Sequence, residues 1–274
     1  MKEDYPFLYD GYGLADYIVR SLNDLNKSDW HGDLIDFLGC SDNEELLSII
    51  SKWDKTCILH NIINGALYTY TEWYAYKISP EEFVEENIAF ITKNKIQSGL
   101  KIYNLDYDEN HDDELSQLYD DLIEKVKKII ADSCFILLFS DRDFLFKLQL
   151  SISGIVKQLS KNDYPDYLNK DGIINRPKSR FPAWLTRAIF FRDKGRCQLC
   201  GCDLSNLYTY TNKNFDHMIP LKSSGNNDPT NIQLTCEHCN KSKQANLIVK
   251  KFLLNAFGKM LTNNWCGSAL MLHN

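Results

Sequence analysis

The sequence predicts an α+β chain: a mostly α-helical N-terminal domain joined to a small C-terminal unit of two strands and a helix, stapled by cysteines. Three observations carry this expectation. Apolar residues recur at helical spacing up to about residue 160. The stretch 161–181 is rich in Asn, Asp and Lys and carries Pro165, Gly172 and Pro177, the composition of a linker. Two Cys-x-x-Cys pairs, Cys197/Cys200 and Cys236/Cys239, then bracket two short segments of strand character. The expected division is a helical domain over 1–160, a linker over 161–181 and a cysteine-stapled domain over 182–274.

The bulk composition limits the function classes. A chain with 44% hydrophobic and 25% charged residues has the balance of a globular protein in water. No apolar run approaches the ~18 residues that a membrane span needs, so a membrane partner is not expected. The N-terminus, MKEDYPFLYD, lacks the basic and apolar regions of a secretory signal. Nine cysteines are an odd number, and four stand in tight pairs, which favours metal binding over disulfides and a cytoplasmic location. The net charge of −6 is unevenly spread: residues 179–274 hold 12 Lys+Arg against 5 Asp+Glu, leaving 19 against 32 in residues 1–178. A basic C-terminal third suits phosphate contact, whereas an acidic N-terminal part suits a protein partner or a regulatory surface.

Taken in order, Leu34, Phe37 and Leu38 predict a short helix, and Leu46, Leu47, Ile49 and Ile50 a second, with Ser41 to Glu44 as its capping sequence. The aromatic stretch from Ala66 to Tyr76 fits strand or helix. Ser79-Pro80-Glu81-Glu82 opens a helix, and the acidic segment from Tyr107 to Glu114 leads into a helical stripe running from Leu115 to Ile130. Phe144 to Leu159 is a strongly apolar helix. The scattered Cys40, Cys57, Cys134, His31, His60 and His111 have no ligand spacing.

In the C-terminal domain a helix is expected from Trp184 to Asp193, ended by Lys194-Gly195, with Arg187, Arg192 and Arg196 as candidate phosphate contacts. A two-residue gap lets both thiolates of a Cys-x-x-Cys pair reach one tetrahedral ion, so Cys197, Cys200, Cys236 and Cys239 form a candidate structural zinc site. Cys202 and His238 are read as neighbours that do not ligate. The 35 residues between the pairs leave room for a hairpin, whose strands are Asn214 to Leu221 and Asn231 to Thr235, joined by a turn-rich loop. A helix then starts near Cys239 and is expected to run to about Met260.

The order C-x-x-C…DH-x-x-P…N-x-x-x-x-C-x-x-C-N-x-x-K, spread over about residues 184 to 250, resembles the HNH, or ββα-metal, nucleases in their zinc-stapled form. The third letter of the motif is Asn240 here. The resemblance implies that His217 is the general base, that Asp216 and Asn240 hold a catalytic Mg²⁺ or Mn²⁺, and that Asn231 orients the His217 ring. It also makes Lys241 and Lys243 candidate phosphate contacts. These residue types suit phosphodiester hydrolysis, which needs a base for the attacking water and a cation on the phosphate. An imidazole titrates near neutrality, and two oxygen ligands leave a Mg²⁺ ion positions for phosphate and water.

The expected function is therefore metal-dependent DNA cleavage, one strand per site, in a stand-alone protein of the kind used in bacterial restriction or phage defence. The alternatives are RNA cleavage on the same scaffold, or a zinc module that binds nucleic acid or protein without catalysis. Such a module would need the cysteines but not Asp216, His217 and Asn240 together.

Overall fold

A computed structural model describes residues 11–26, 31–77, 112–205 and 212–243, with two short strand segments, Leu253–Leu254 and Met260–Leu261. Helices α1 (Gly11–Leu25), α2 (His31–Phe37), α3 (Asn43–Ile50), α4 (Ile58–Lys77), α5 (Asp112–Ser140), α6 (Arg142–Val156) and α7 (Ala183–Arg192) precede a hairpin of β1 (Lys213–His217) and β2 (Ile232–Cys236), which leads into α8 (Glu237–Lys243). The mixed α+β class is as expected. No described helix is long and apolar enough to cross a membrane. The helix expected at Ser79 and the acidic segment up to His111 lie outside the described residues, as do the side chains of the aromatic stretch from residue 70 on.

The chain divides into two compact units. The first comprises residues 1–28, 37–39 and 60–137. In α1 the buried positions Leu14, Ile18 and Leu22 recur every four residues, while Tyr12 and Tyr17 face solvent. Gly11 lets α1 approach α5 closely: a Cβ there would stand 2.5 Å from Cβ of Ser133. The ambiguous aromatic stretch is helical, within α4.

The second unit comprises residues 29–36, 40–59 and 138–274. Its composition differs from the expected division at 161–181, because α3 and α6 pack with the cysteine-bearing segment. Nor is 161–181 a free tether: Leu168 and Ile174 are buried and bridge one another. Helix α3 is capped one residue later than expected, by Asp42, which accepts from the Glu45 amide at 2.9 Å while Glu45 Oε2 accepts from the Ser41 amide at 2.7 Å. Asp141 caps α6 through the Phe144 amide. Lys194 and Gly195, at φ 55° and 62°, end α7 as the Lys-Gly pair suggested.

Strands β1 and β2 pair antiparallel, Asp216 opposite Gln233 and His217 opposite Ile232. A core of Leu185, Ile189, Leu199, Leu204, Ile232 and Leu234 lies beneath them. Helix α8 is described over Glu237–Lys243, and Leu253–Leu254 pairs with Met260–Leu261 as a strand ladder, so the helix expected to reach Met260 does not extend that far. Arg192 is not a phosphate contact. Its guanidinium is buried, paired with Asp193 at 2.8 Å, and donates to the Ile232 carbonyl at 2.6 Å, while Asp193 accepts from the Leu234 amide, so the pair ties α7 to β2. Arg187 and Arg196 are exposed.

Candidate active site and its cysteine cluster

Residues 218–231, which join β1 to β2, bury a run of polar groups beside the apolar Met218 and Ile219. Asn226, Asn227, Asp228, Thr230 and Asn231 are all solvent-free. Each therefore needs hydrogen-bond partners, and the rest of the second unit supplies many of them. Asn226 donates to Gln149 of α6 at 2.6 Å, and Gln149 donates to Thr230 at 2.7 Å. Asp228 accepts from the Ile58 amide at 2.9 Å, and the Asn227 amide donates to the Ile50 carbonyl at 2.8 Å. Gly225 passes so close to the Ile219 carbonyl that a Cβ would stand 1.9 Å from its oxygen.

The Asn231 side chain makes no hydrogen bond to the His217 ring. Its Oδ1 accepts from the Ile219 amide at 2.9 Å, and its Nδ2 donates to the carbonyls of Ile219 and Asn226 at 3.0 and 2.8 Å. That side chain is thus spent on closing the loop. The ring is held by Asn227, whose Oδ1 lies 3.2 Å from His217 Nε2. Asn227 Nδ2 donates to the carbonyls of Ser51 and Asn175, both at 2.9 Å, which fixes the direction of the amide. An acceptor then faces Nε2, so Nε2 carries the proton and Nδ1 is the basic nitrogen. Burial pushes the imidazole down to about 4, helped by the charges of Arg176 and Lys243 and opposed by the Asn227 bond and Asp216. A neutral ring at neutral pH is the state a general base requires.

Asp216 and His217 alternate along β1, yet both line one cleft of about 510 Å³, and Asn240 lines it too. Of the four residues expected at the catalytic centre, Asp216, His217 and Asn240 thus share one cleft, and Asn231 is not in its lining. The cleft's other walls are Trp53, Phe181 and Phe215, and Arg176, Ser179 and Arg180. Lys243 is 1% exposed, and its ammonium lies 2.8 Å from Asp216 Oδ2 and donates to the His217 carbonyl at 2.7 Å. Buried and doubly engaged, it holds the Asp216–His217 pair rather than reaching for phosphate from the surface. Gln233 donates to the same carboxylate oxygen at 3.2 Å and accepts from Arg142. Lys241 is exposed and paired with Glu237 at 2.6 Å on the same helix.

The cysteines converge as their spacing suggested, with one change of membership. The sulfurs of Cys197, Cys200, Cys202 and Cys236 all lie within 4.8 Å of one another. Cys200 and Cys236 are 3.8 Å apart, and a tetrahedron with Zn–S bonds of ~2.3 Å has edges of about 3.8 Å, so these thiols fit zinc. Cys202, read as a bystander, belongs to this set because of the turn before it. Gly201, at φ 78°, donates to the Cys197 carbonyl at 2.8 Å, and the Cys197 amide donates back to the Cys202 carbonyl at 3.0 Å. Cys239 is not in the mutually close set, although its amide donates to Cys236 Sγ at 3.4 Å. The Cys197 thiol is pulled down to about 4 by the hydrogen bond from Cys200, whereas burial pushes Cys202 up to about 11 and Cys239 up to about 12.

Among the contributors missed from sequence are Asn227 and the carbonyls of Ser51 and Asn175 that hold it. The family pattern offers no letter for these, and Asn-Asn-Asp-Pro reads as turn chemistry. No curated protein and no solved structure matches this chain. Residues 197–246 match the family model described as HNH endonuclease, so the chain carries an HNH domain there, and nuclease activity is the general function that this domain indicates.

Proposed function

We propose that the protein is a divalent-cation-dependent DNA endonuclease that cuts one strand per site. The observation that carries this is the single cleft lined by His217, Asp216 and Asn240, in which the imidazole is neutral and oriented. His217 Nδ1 takes the proton of the attacking water, while Asn227 holds the ring through Nε2. Asp216 and Asn240 offer hard oxygen donors that suit Mg²⁺ or Mn²⁺. The described contacts of the Asp216 carboxylate fall on Oδ2, so Oδ1 is the atom offered to the cation. When bound, the cation supplies positive charge to the scissile phosphate and the leaving oxygen. Lys243 holds Asp216 in place and offsets its charge.

Cys197, Cys200 and Cys236 are the proposed core of a structural zinc site, with Cys239 or Cys202 completing the tetrahedron. This zinc staples the short β1–β2–α8 unit and takes no part in chemistry. The acidic first unit is the proposed partner or regulatory surface, in a cytoplasmic protein of restriction or phage defence, a role supported by the family resemblance.

The test is a time course of purified protein on supercoiled plasmid and on single-stranded RNA, with Mg²⁺, with Mn²⁺ and with neither. Cation-dependent appearance of open-circular plasmid supports the proposal. Cleavage of RNA alone would transfer it to the RNase alternative, and no cleavage of either by zinc-loaded protein would favour a binding module.

A further inference from the structure

The wall facing His217 is aromatic. Trp53 and Phe181 stack with ring centroids 4.7 Å apart and planes inclined by 33°. Phe181 is the hub, with Phe215 at 6.2 Å and the His217 ring itself at 6.3 Å. All four rings line the cleft. The segment that delivers Phe181 also delivers Arg176 and Arg180 to the cleft, and both are exposed. Neither forms a salt bridge among the described residues.

Hydrolysis of a phosphodiester needs a base, a cation and a track for the phosphates. It has no use for a row of ring faces beside the base. In a duplex the bases stack on one another and show their edges in the grooves, so an aromatic wall at the scissile phosphate gains little from paired DNA. A base outside a stack shows a π-face, and stacking on protein aromatics holds it whatever its identity. Arginines beside such a platform take up the adjoining phosphates. A cleft of about 510 Å³ is also of the size that encloses a small ligand such as one nucleotide, and far too small for a double helix.

We propose that this cleft is a subsite for an unpaired nucleotide next to the scissile phosphate, with the base against Phe181 and Trp53 and the flanking phosphates on Arg176 and Arg180. The preferred substrate is then a single-stranded, flapped or locally melted nucleic acid. This rests on the nuclease proposal for the same site and narrows its substrate class.

The test is equilibrium binding of the zinc-loaded full chain, without Mg²⁺ or Mn²⁺, to a short fluorescent single strand and to the same sequence as a duplex. DNA and RNA versions of the single strand distinguish the two sugars, and tight binding of either supports the subsite. The expected result is tighter binding of the single strand by at least about tenfold, with Phe181→Leu weakening it by roughly 5- to 150-fold, the range of one lost stacking contact. Duplex binding should change by less than about twofold, because it does not use the platform. Phe181→Tyr, which keeps the ring, should bind as wild type does. Equal affinity of wild type for single strand and duplex would overturn the proposal and needs no variant. So would a folded Phe181→Leu protein that still binds single strands normally. Phe181-dependent binding without cleavage under any cation would leave the subsite standing and remove the nuclease. His217-dependent cleavage of duplex without single-strand preference would do the reverse.

Discussion

Asn227 Oδ1 lies 3.2 Å from Nε2 of His217, and the opposite end of the same amide is held by the carbonyls of Ser51 and Asn175. Two segments distant in sequence thus set which imidazole nitrogen carries the proton.

Asn227→Ala should therefore lower kcat by roughly 10- to 100-fold, the usual effect of losing the group that orients a functional histidine. KM and zinc content should stay near wild type. Nitrogen NMR of the imidazole should show the Nε2–H tautomer in wild type and a mixture in the variant. An unchanged kcat in folded Asn227→Ala would mean that the ring is oriented by something else.

A second consequence concerns pH. An unfolded histidine titrates near 6.5, whereas burial holds His217 at about 4 in the folded chain. The native state thus binds fewer protons than the unfolded state between these values. The stability is fully present above pH 6.5 and is lost as pH falls towards 4. From this residue alone the loss between pH 7.5 and pH 5 is about 2 kcal/mol. Comparing urea unfolding of wild type and His217→Ala at the two pH values isolates it. If the wild-type loss exceeds that of the variant by nothing measurable, the folded imidazole titrates normally.

Five cysteines surround a site that needs four thiolates. Cys202 lies within the mutually close set, and Cys239 adjoins Cys236. Cys202→Ser and Cys239→Ser should each keep about one zinc per chain, bound more weakly than in wild type, because either can complete the tetrahedron. The double variant, and Cys236→Ser alone, should lose the metal and with it the cooperative melting of the second unit. Metal analysis after dialysis decides. Complete loss of zinc in one single variant and none in the other would show a fixed ligand set.

How much of this was legible depended on whether a feature is local in sequence. The two Cys-x-x-Cys pairs and the Asp216-His217 dipeptide in a segment of strand character are short-range patterns, and motif spacing exposed both directly. Asn227 and Asn231 were not separable that way: both sit in turn-forming sequence, and only the folded loop spends one on backbone and the other on the ring. Lys243 lies on a short helix where charge suggests solvent, yet its ammonium is buried against Asp216. The packing of α3 and α6 with the HNH unit left one faint trace, Gln149 within an apolar helix, which is buried because it serves Asn226 and Thr230.

That packing makes the HNH segment dependent on sequence far outside its motif. A fragment of residues 161–274 lacks Ser51, Ile58, Arg142 and Gln149, and so leaves several buried polar groups of the β1–β2 loop unsatisfied. Each such group costs about 1–3 kcal/mol. The fragment should be poorly soluble or melt without cooperativity, even with zinc. A folded fragment with wild-type activity would contradict the role given to α3 and α6.

The role of His217 as the base is measured most directly by plasmid nicking with wild type and His217→Ala side by side, with Mg²⁺ added and one zinc per chain verified in both. Wild type should give open-circular product and the variant none, because the variant lacks the base assigned to the attacking water. Equal nicking by folded, zinc-bound His217→Ala would contradict that role and remove His217 from the mechanism.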